Sequence, residues 1–233
     1  FIKMKKIVLV AILICSIVSA NAALVDMRKA GADASGKKLN TTLINKTIAK
    51  LHENGGGTLF FPSGKYLTGA IILKSNITIE LEAGATLLFS DNFDDYLPFV
   101  DVRHEGVWMK SFTPLIYAVD AENITIKGEG KIDGQGKKWW VEFFKVMVDL
   151  RDNGMREVNK YQSMWETTND VKSIYAETNA DYVNTLQRRF FRPPFIQPVR
   201  CKNVKIEGLT IVTSPFWTVN PEFCDNVTTN GIT

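Results

Sequence analysis

Four times the chain writes an Asn followed by Ile or Val and then by Thr or Lys: Asn76-Ile77-Thr78-Ile79, Asn123-Ile124-Thr125-Ile126, Asn203-Val204-Lys205-Ile206 and Asn226-Val227-Thr228-Thr229. The last two copies begin 23 residues apart and the first two 47 apart, about twice that step. A period in the twenties carried by short β-branched segments marks a solenoid, because one such unit cannot bury its apolar face alone and must stack on its neighbours. The spacing therefore predicts an all-β solenoid in which each rung supplies a strand.

Before the first rung, Met4-Lys5-Lys6 leads into the apolar run Ile7 to Val18 and then Ala20-Asn21-Ala22. That is a basic start, an apolar core too short to span a bilayer and a small-residue cleavage site. Residues 1–22 are thus read as an upstream remnant (Phe1-Ile2-Lys3) plus a signal peptide, and residues 23–233 as one incomplete solenoid domain. Cys15 follows Leu13-Ile14 rather than small residues, which argues against a lipoprotein anchor. The expected destination is periplasmic or extracellular, with a bacterial origin. Losing residues 1–22 removes Lys3, Lys5 and Lys6 and no acid, so the formal +3 becomes a balance of 25 basic and 25 acidic residues. No basic stripe points to nucleic acid, no second apolar segment points to a membrane, and a monomer is expected.

Gly31-Ala32-Asp33-Ala34-Ser35-Gly36 reads as a loop, after which Asn40 or Thr41 can cap a helix with Leu43, Ile44, Ile48 and Leu51 on one face. Gly55-Gly56-Gly57 stops it. One amphipathic helix ahead of a solenoid is an end cap, since the first rung would otherwise expose its core. From Thr58 on, apolar residues alternate in short runs broken by turns, as strands with one buried face do.

Aligning the copies on their Asn brings Gly128, Gly208 and Gly231 to one phase, five residues on, with Leu81 breaking the pattern. A recurrent Gly suits a corner with positive φ or close backbone approach, and a recurrent Asn suits a turn whose amides stack. Three copies match the N-glycosylation sequon, but repetition for structural reasons is the preferred account. Cys201 and Cys224, also 23 apart, fall two residues before the Asn. Stacked rungs lie within disulfide reach, yet parallel side chains point the same way, so a thiol ladder is favoured over a bridge.

Between Asn123 and Asn203 the spacing fails, and the excess at about 137–191 is an insertion. Trp139, Trp140, Phe143, Phe144, Met147 and Val148 recur there at helical intervals. They form either an amphipathic helix lying on the solenoid or a sugar-stacking wall, the helix being favoured.

His52 and His104 stand alone, and no metal spacing, phosphate loop or convincing dinucleotide loop occurs. No cofactor or metal is expected. Asp94-Asp95 is the adjacent acidic pair, best read as part of a polar turn, and Asp133 as a turn cap.

The run Gly128-Glu129-Gly130-Lys131-Ile132-Asp133-Gly134-Gln135-Gly136 with Trp139-Trp140, then Arg192-Pro193-Pro194-Phe195-Ile196, then Cys201-Lys202-Asn203-Val204 and Ser214-Pro215-Phe216-Trp217-Thr218-Val219, resembles the N-terminal half of a family 28 glycoside hydrolase, the polygalacturonase family. The resemblance implies a right-handed parallel β-helix that hydrolyses α-1,4-galacturonosyl linkages of pectin with inversion, by Asp residues and without metal. The family carries that chemistry in Asn-Thr-Asp, Gly-Asp-Asp, Gly-His-Gly and Arg-Ile-Lys motifs, none of which occurs here. Catalytic residues are expected after Thr233, and the chain is expected to be an inactive fragment. Substrate contacts are expected at Arg192, Phe216, Trp217 and Asn220, with Arg188 and Arg189 as further partners for uronate carboxylates. Core packing of Phe216 and Trp217 and loop anchoring by Arg192 is the competing account. A pectate lyase-like β-helix and a non-catalytic carbohydrate-binding β-helix remain as alternatives.

Overall fold

A computed structural model describes residues 23–154, 159–176 and 190–233. The expected signal segment and Arg188-Arg189 lie outside the described residues. The chain opens with strand β1 (Ala23–Asp26) and helix α1 (Thr41–Glu53). The first coil follows as β2 (Gly57–Phe61), β3 (Gly64–Thr68) and β4 (Ile71–Leu73). The second is β5 (Ile77–Leu81), β6 (Ala85–Phe89) and, after a 3-10 turn at Phe93–Tyr96 and the hairpin β7 (Val100–His104) to β8 (Val107–Ser111), β9 (Ile116–Val119). The third is β10 (Glu122–Gly128), β11 (Lys131–Asp133), helices α2 (Lys137–Asn153), α3 (Lys160–Thr168) and α4 (Val171–Ala176), then β12 (Ile196–Val199). β13 (Lys202–Glu207), β14 (Thr210–Val212) and β15 (Asp225–Asn230) complete the described elements.

Equivalent strands stack into three parallel sheets: β1-β2-β5-β10-β13-β15, then β3-β6-β11-β14, then β4-β9-β12. This is the solenoid that the repeat predicts, in the form of the right-handed parallel β-helix that the resemblance implies. Inward positions alternate along each strand, so Leu59, Ile79, Ile126 and Ile206 fill one column of the core with essentially no exposure. No helix of the described residues is long and apolar enough to cross a membrane.

The Asn phrase acts through backbone and side chain together. Asn76, Asn123, Asn203 and Asn226 all take left-handed φ between 55° and 64°, a region where Asn is tolerated better than other side chains. Their amides form a ladder, Asn123 Nδ2 donating to Asn76 Oδ1 at 2.9 Å, Asn203 to Asn123 at 2.9 Å and Asn226 to Asn203 at 2.7 Å. Gly128 meets both conditions set for its phase: φ is +130°, and a Cβ there would lie 2.0 Å from the Leu81 carbonyl oxygen. Cys201 and Cys224 are free thiols, the Cys224 Sγ lying 3.4 Å from the Cys201 amide nitrogen.

One reading of the spacing needs correction. Asn76 and Asn123 belong to adjacent rungs, since Thr78 pairs directly with Thr125. Their separation is one rung plus the hairpin insertion, and the regular spacing fails twice. The two insertions then pack together: Val102, Val107 and Met109 of the hairpin form a satellite core with Trp165, Ile174 and Phe191. Asn169 reinforces the join, its side chain accepting from the Lys110 amide at 2.7 Å and donating to the Lys110 carbonyl at 3.0 Å.

Each sheet has its first edge covered. β1 pairs with β2, the Ala34 carbonyl accepts from the Lys65 amide at 2.9 Å beside β3, and α1 lies against β4. There Asn45 imitates a strand, donating to the Ala70 carbonyl and accepting from the Ile72 amide, both at 2.9 Å. Edge strands left with open amides invite pairing with other chains, so α1 and β1 together make the expected cap. Ile44, Ile48 and Leu51 bury its apolar face, with Leu43 partly buried beside the core. Asn40 precedes α1, but its side chain does not cap it; it accepts from the Asp33 amide and donates to the Leu67 carbonyl.

Candidate functional site

The corner after β14 gathers the residues that the motifs single out. Its backbone is clamped from the insertion: the Gly136 amide donates to the Thr213 carbonyl at 2.8 Å, and Trp140 Nε1 donates to the Ser214 and Pro215 carbonyls at 3.0 and 3.2 Å. Gly136 permits this because a Cβ would sit 2.7 Å from both the Thr213 and Ser214 carbonyl oxygens. On the far side the Trp217 carbonyl accepts from the Phe195 amide at 2.8 Å. Phe216 and Trp217 are therefore presented by a backbone fixed from both directions.

Arg192 sits at the centre. Its guanidinium lies 4.3 Å from the Phe143 ring centroid and 5.0 Å from that of Phe216, and Nη1 donates to the Pro215 carbonyl at 3.2 Å. Cation–π contact on a planar, permanently charged group fixes its plane, and the edge of that plane is the part that recognises carboxylates. Trp217 meets Phe216 edge to face at 5.5 Å and is 53% exposed, a flat apolar surface beside a cation.

His104, from the end of β7, stacks nearly parallel on Phe216 at 4.6 Å and meets the edge of Phe191 at 4.9 Å. Burial, with help from the neighbouring Arg192 charge, pushes its imidazole down to about 3, so at neutral pH it is an uncharged ring in an aromatic stack. His104 is therefore a packing residue of the corner. Its place beside Phe216 was not foreseen, because nothing in the sequence links residue 104 with 216.

The structure thus brings Arg192, Phe216 and Trp217 together. Arg192 anchors the loop through Pro215 and Phe216 is half-buried, as the packing account has it, while Trp217 is open to solvent. Asn220 lies outside this stack. Its amide donates to the Ile196 carbonyl at 2.9 Å, in the segment after Val219 that runs beside β12.

Helix α2 settles the reading of the insertion's aromatics residue by residue. Trp139 is fully buried among Phe93, Phe112, Tyr96 and Phe190, with centroids 4.3 to 6.1 Å away. Val146 is buried with it, whereas Val141, Phe144 and Val148 are exposed. The helix lies on the solenoid and gives Trp140 and Phe143 to the corner.

Acidic candidates take structural roles. Asp94 accepts from Lys160 Nζ at 2.8 Å and from the Tyr161 hydroxyl at 3.0 Å, bonds that hold its carboxyl below the usual range and tie α3 to the coil. Asp95 accepts from Ser90 at 2.5 Å, and Asp133 caps its turn by accepting from the Gln135 amide at 3.1 Å. No cluster of His, Cys, Asp and Glu fit to hold a metal occurs among the described residues.

No family model matches the sequence. Among curated relatives, an exo-poly-alpha-D-galacturonosidase of Dickeya chrysanthemi is 35% identical over 217 residues, covering 82% of this chain and 34% of its own length. A probable polygalacturonase of Vitis vinifera is 27% identical over 222 residues, covering 91% of this chain and 36% of its own. Among solved structures, a hyperthermoactive exopolygalacturonase of Thermotoga maritima superposes with a TM-score of 0.70 at 32% identity, over 90% of this chain and 46% of that one. The chain spans about a third of the length of these two curated relatives.

Proposed function

We propose, from the premise that this chain is a polygalacturonase-like member of glycoside hydrolase family 28 over the residues compared, that it serves the hydrolysis of α-1,4-galacturonosyl linkages in pectin. The observation that carries the reading is the corner at Arg192 and Trp217. A galacturonate unit has a ring face that can lie on an indole and a carboxylate that a guanidinium edge can bind, and the two protein groups stand side by side on Phe216.

The division of labour follows from the residues. An inverting hydrolase needs a carboxylic acid at the leaving oxygen and a second carboxylate activating water. Asp94, Asp95 and Asp133 are committed to turns and to the insertion, so residues 23–233 are assigned the scaffold and part of the substrate-holding surface. Hydrolysis belongs to the complete enzyme. Residues 1–22 are proposed to direct export, which brings the protein to its polysaccharide.

End-wise attack is favoured over attack within the chain. Phe143 from the helical insertion and His104 from the hairpin both press on the Arg192–Phe216 pair, so both insertions border the corner. A groove bordered in this way suits a chain end. The relatives from Dickeya and Thermotoga are named for exo action.

Calorimetric titration of residues 23–233 with trigalacturonate tests the reading. Saturable binding is expected, weakened about tenfold by Trp217→Ala, with no release of reducing ends from polygalacturonate. Binding that Trp217→Ala leaves unchanged would remove the corner from the account. Reducing ends released by residues 23–233 would overturn the division of labour.

A further inference from the structure

The hairpin has two faces, and the site above uses one. Along β7 and β8, Val102, His104, Val107 and Met109 turn toward Phe191 and Phe216. Asp101, Arg103, Trp108 and Lys110 alternate with them and belong to the opposite face, with Asp101 paired to Lys110 and Arg103 to Trp108 in register.

Between that face and the outer side of the third sheet lies a pocket of about 350 Å³, bordered by Trp108, Lys110, Tyr117, Val119 and Arg200. It shares Tyr117 and Val119 with a second pocket of about 210 Å³ that reaches His52 and Lys74. The two adjoin at Tyr117 and Val119, and together they are taken as one trough along the third sheet. We propose that this trough is a second, non-catalytic site that binds a uronate-bearing oligosaccharide.

The chemistry of the walls supports an acidic sugar. Trp108 supplies a partly buried indole whose plane is set by Phe223, stacked on it at 6.1 Å, and by the Arg103 guanidinium 5.6 Å above it. Arg103 is itself held by Glu222 at 3.3 Å. Lys110 and Arg200 place two cations on the rim, and Lys74 a third beyond Tyr117. Lys110 meets Asp101 at 2.9 Å, and Arg200 meets Asp120 through two bonds of 2.6 and 2.8 Å. All four groups are well exposed, and ion pairs in that setting contribute little, so an incoming carboxylate can take the aspartate's place at either cation. Apolar Val119 and Ile72, each more than a third exposed, floor the trough and give the less polar face of a sugar a place to rest. A chain held here would be kept on the enzyme while a different stretch of it is worked on, which raises its local concentration at the corner.

Naming galacturonate as the sugar rests on the function proposed above, and site-resolved titration separates the two ideas. With the isotopically labelled protein, trigalacturonate is added and the NMR signals of Trp108, Lys110 and Arg200 are followed beside those of Trp217 and Arg192, with neutral maltotriose as control. The expected result is saturable movement of the Trp108 group, weakened about tenfold or more in Lys110→Gln/Arg200→Gln, and little response to maltotriose. Because Trp108 also packs on Phe223, Trp108→Leu is a second variant, expected to weaken the same signals while those at Trp217 still respond. Movement at Trp217 and Arg192 with silence at Trp108 would overturn this inference and leave the proposed function standing. Movement at Trp108 with silence at Trp217 would do the reverse. An unchanged titration in the double variant, or an equal response to maltotriose, would refute recognition of the acid.

Discussion

Acidification should weaken the fold through His104, by an amount that can be worked out. Its imidazole has an ordinary value of 6.5 and is pushed down to about 3, first by burial and then by the nearby Arg192 charge. Between those two values the unfolded chain binds a proton that the folded chain refuses, so stability is fully present above pH 6.5 and falls as the pH drops toward 3. Each pH unit in that window costs about 1.4 kcal/mol, and going from pH 7 to pH 5 crosses about one and a half such units below 6.5, a loss of about 2 kcal/mol. His104→Phe keeps a flat ring against Phe216 and removes the titration. Urea unfolding at both pH values, for both proteins, isolates the effect: the wild type should lose about 2 kcal/mol more than the variant, whatever constant offset the substitution introduces. Equal losses in the two proteins would mean that His104 is not held neutral in the stack.

Other consequences follow from particular contacts. Asn123→Ala removes the middle of the amide ladder and puts Ala at φ 57°, and should cost about 1–3 kcal/mol in chemical denaturation, with Asn123→Gly costing less because the backbone remains at ease. Gly128→Ala should cost about 3 kcal/mol or more, since its Cβ would strike the Leu81 carbonyl, while Gly231→Ala, whose nearest atoms lie 3.8 Å away, should cost about 1 kcal/mol; thermal melts that rank them the other way would contradict the corner geometry. Asn45→Leu strips both side-chain bonds from the open edge of β4 and should raise self-association, read by light scattering, along with a lower melting temperature.

The regular part of the fold was legible because its physics is local. Left-handed turns select Asn at 76, 123, 203 and 226, and close approach selects Gly at 128, so these positions report the rung phase directly. The first insertion was harder to see. Residues 100–111 do alternate about Glu105-Gly106, which turn with φ of 47° and 91°, but a 47-residue gap that is nearly two periods conceals one rung with an excursion. β1 was missed because its four residues, two exposed and two partly buried, carry little pattern. Trp217 and Arg192 were found through the motif resemblance. Their setting depends on His104, Trp140 and Phe143, which long-range packing alone brings near, and Asn220 stands outside it for the same reason.

The most direct test of the central claim is a crystal structure of residues 23–233 with trigalacturonate bound. The account predicts a sugar ring against the Trp217 indole and a uronate carboxylate within hydrogen-bond reach of Arg192. Sugar density that avoids this corner, at ligand concentrations that saturate binding in solution, would contradict it.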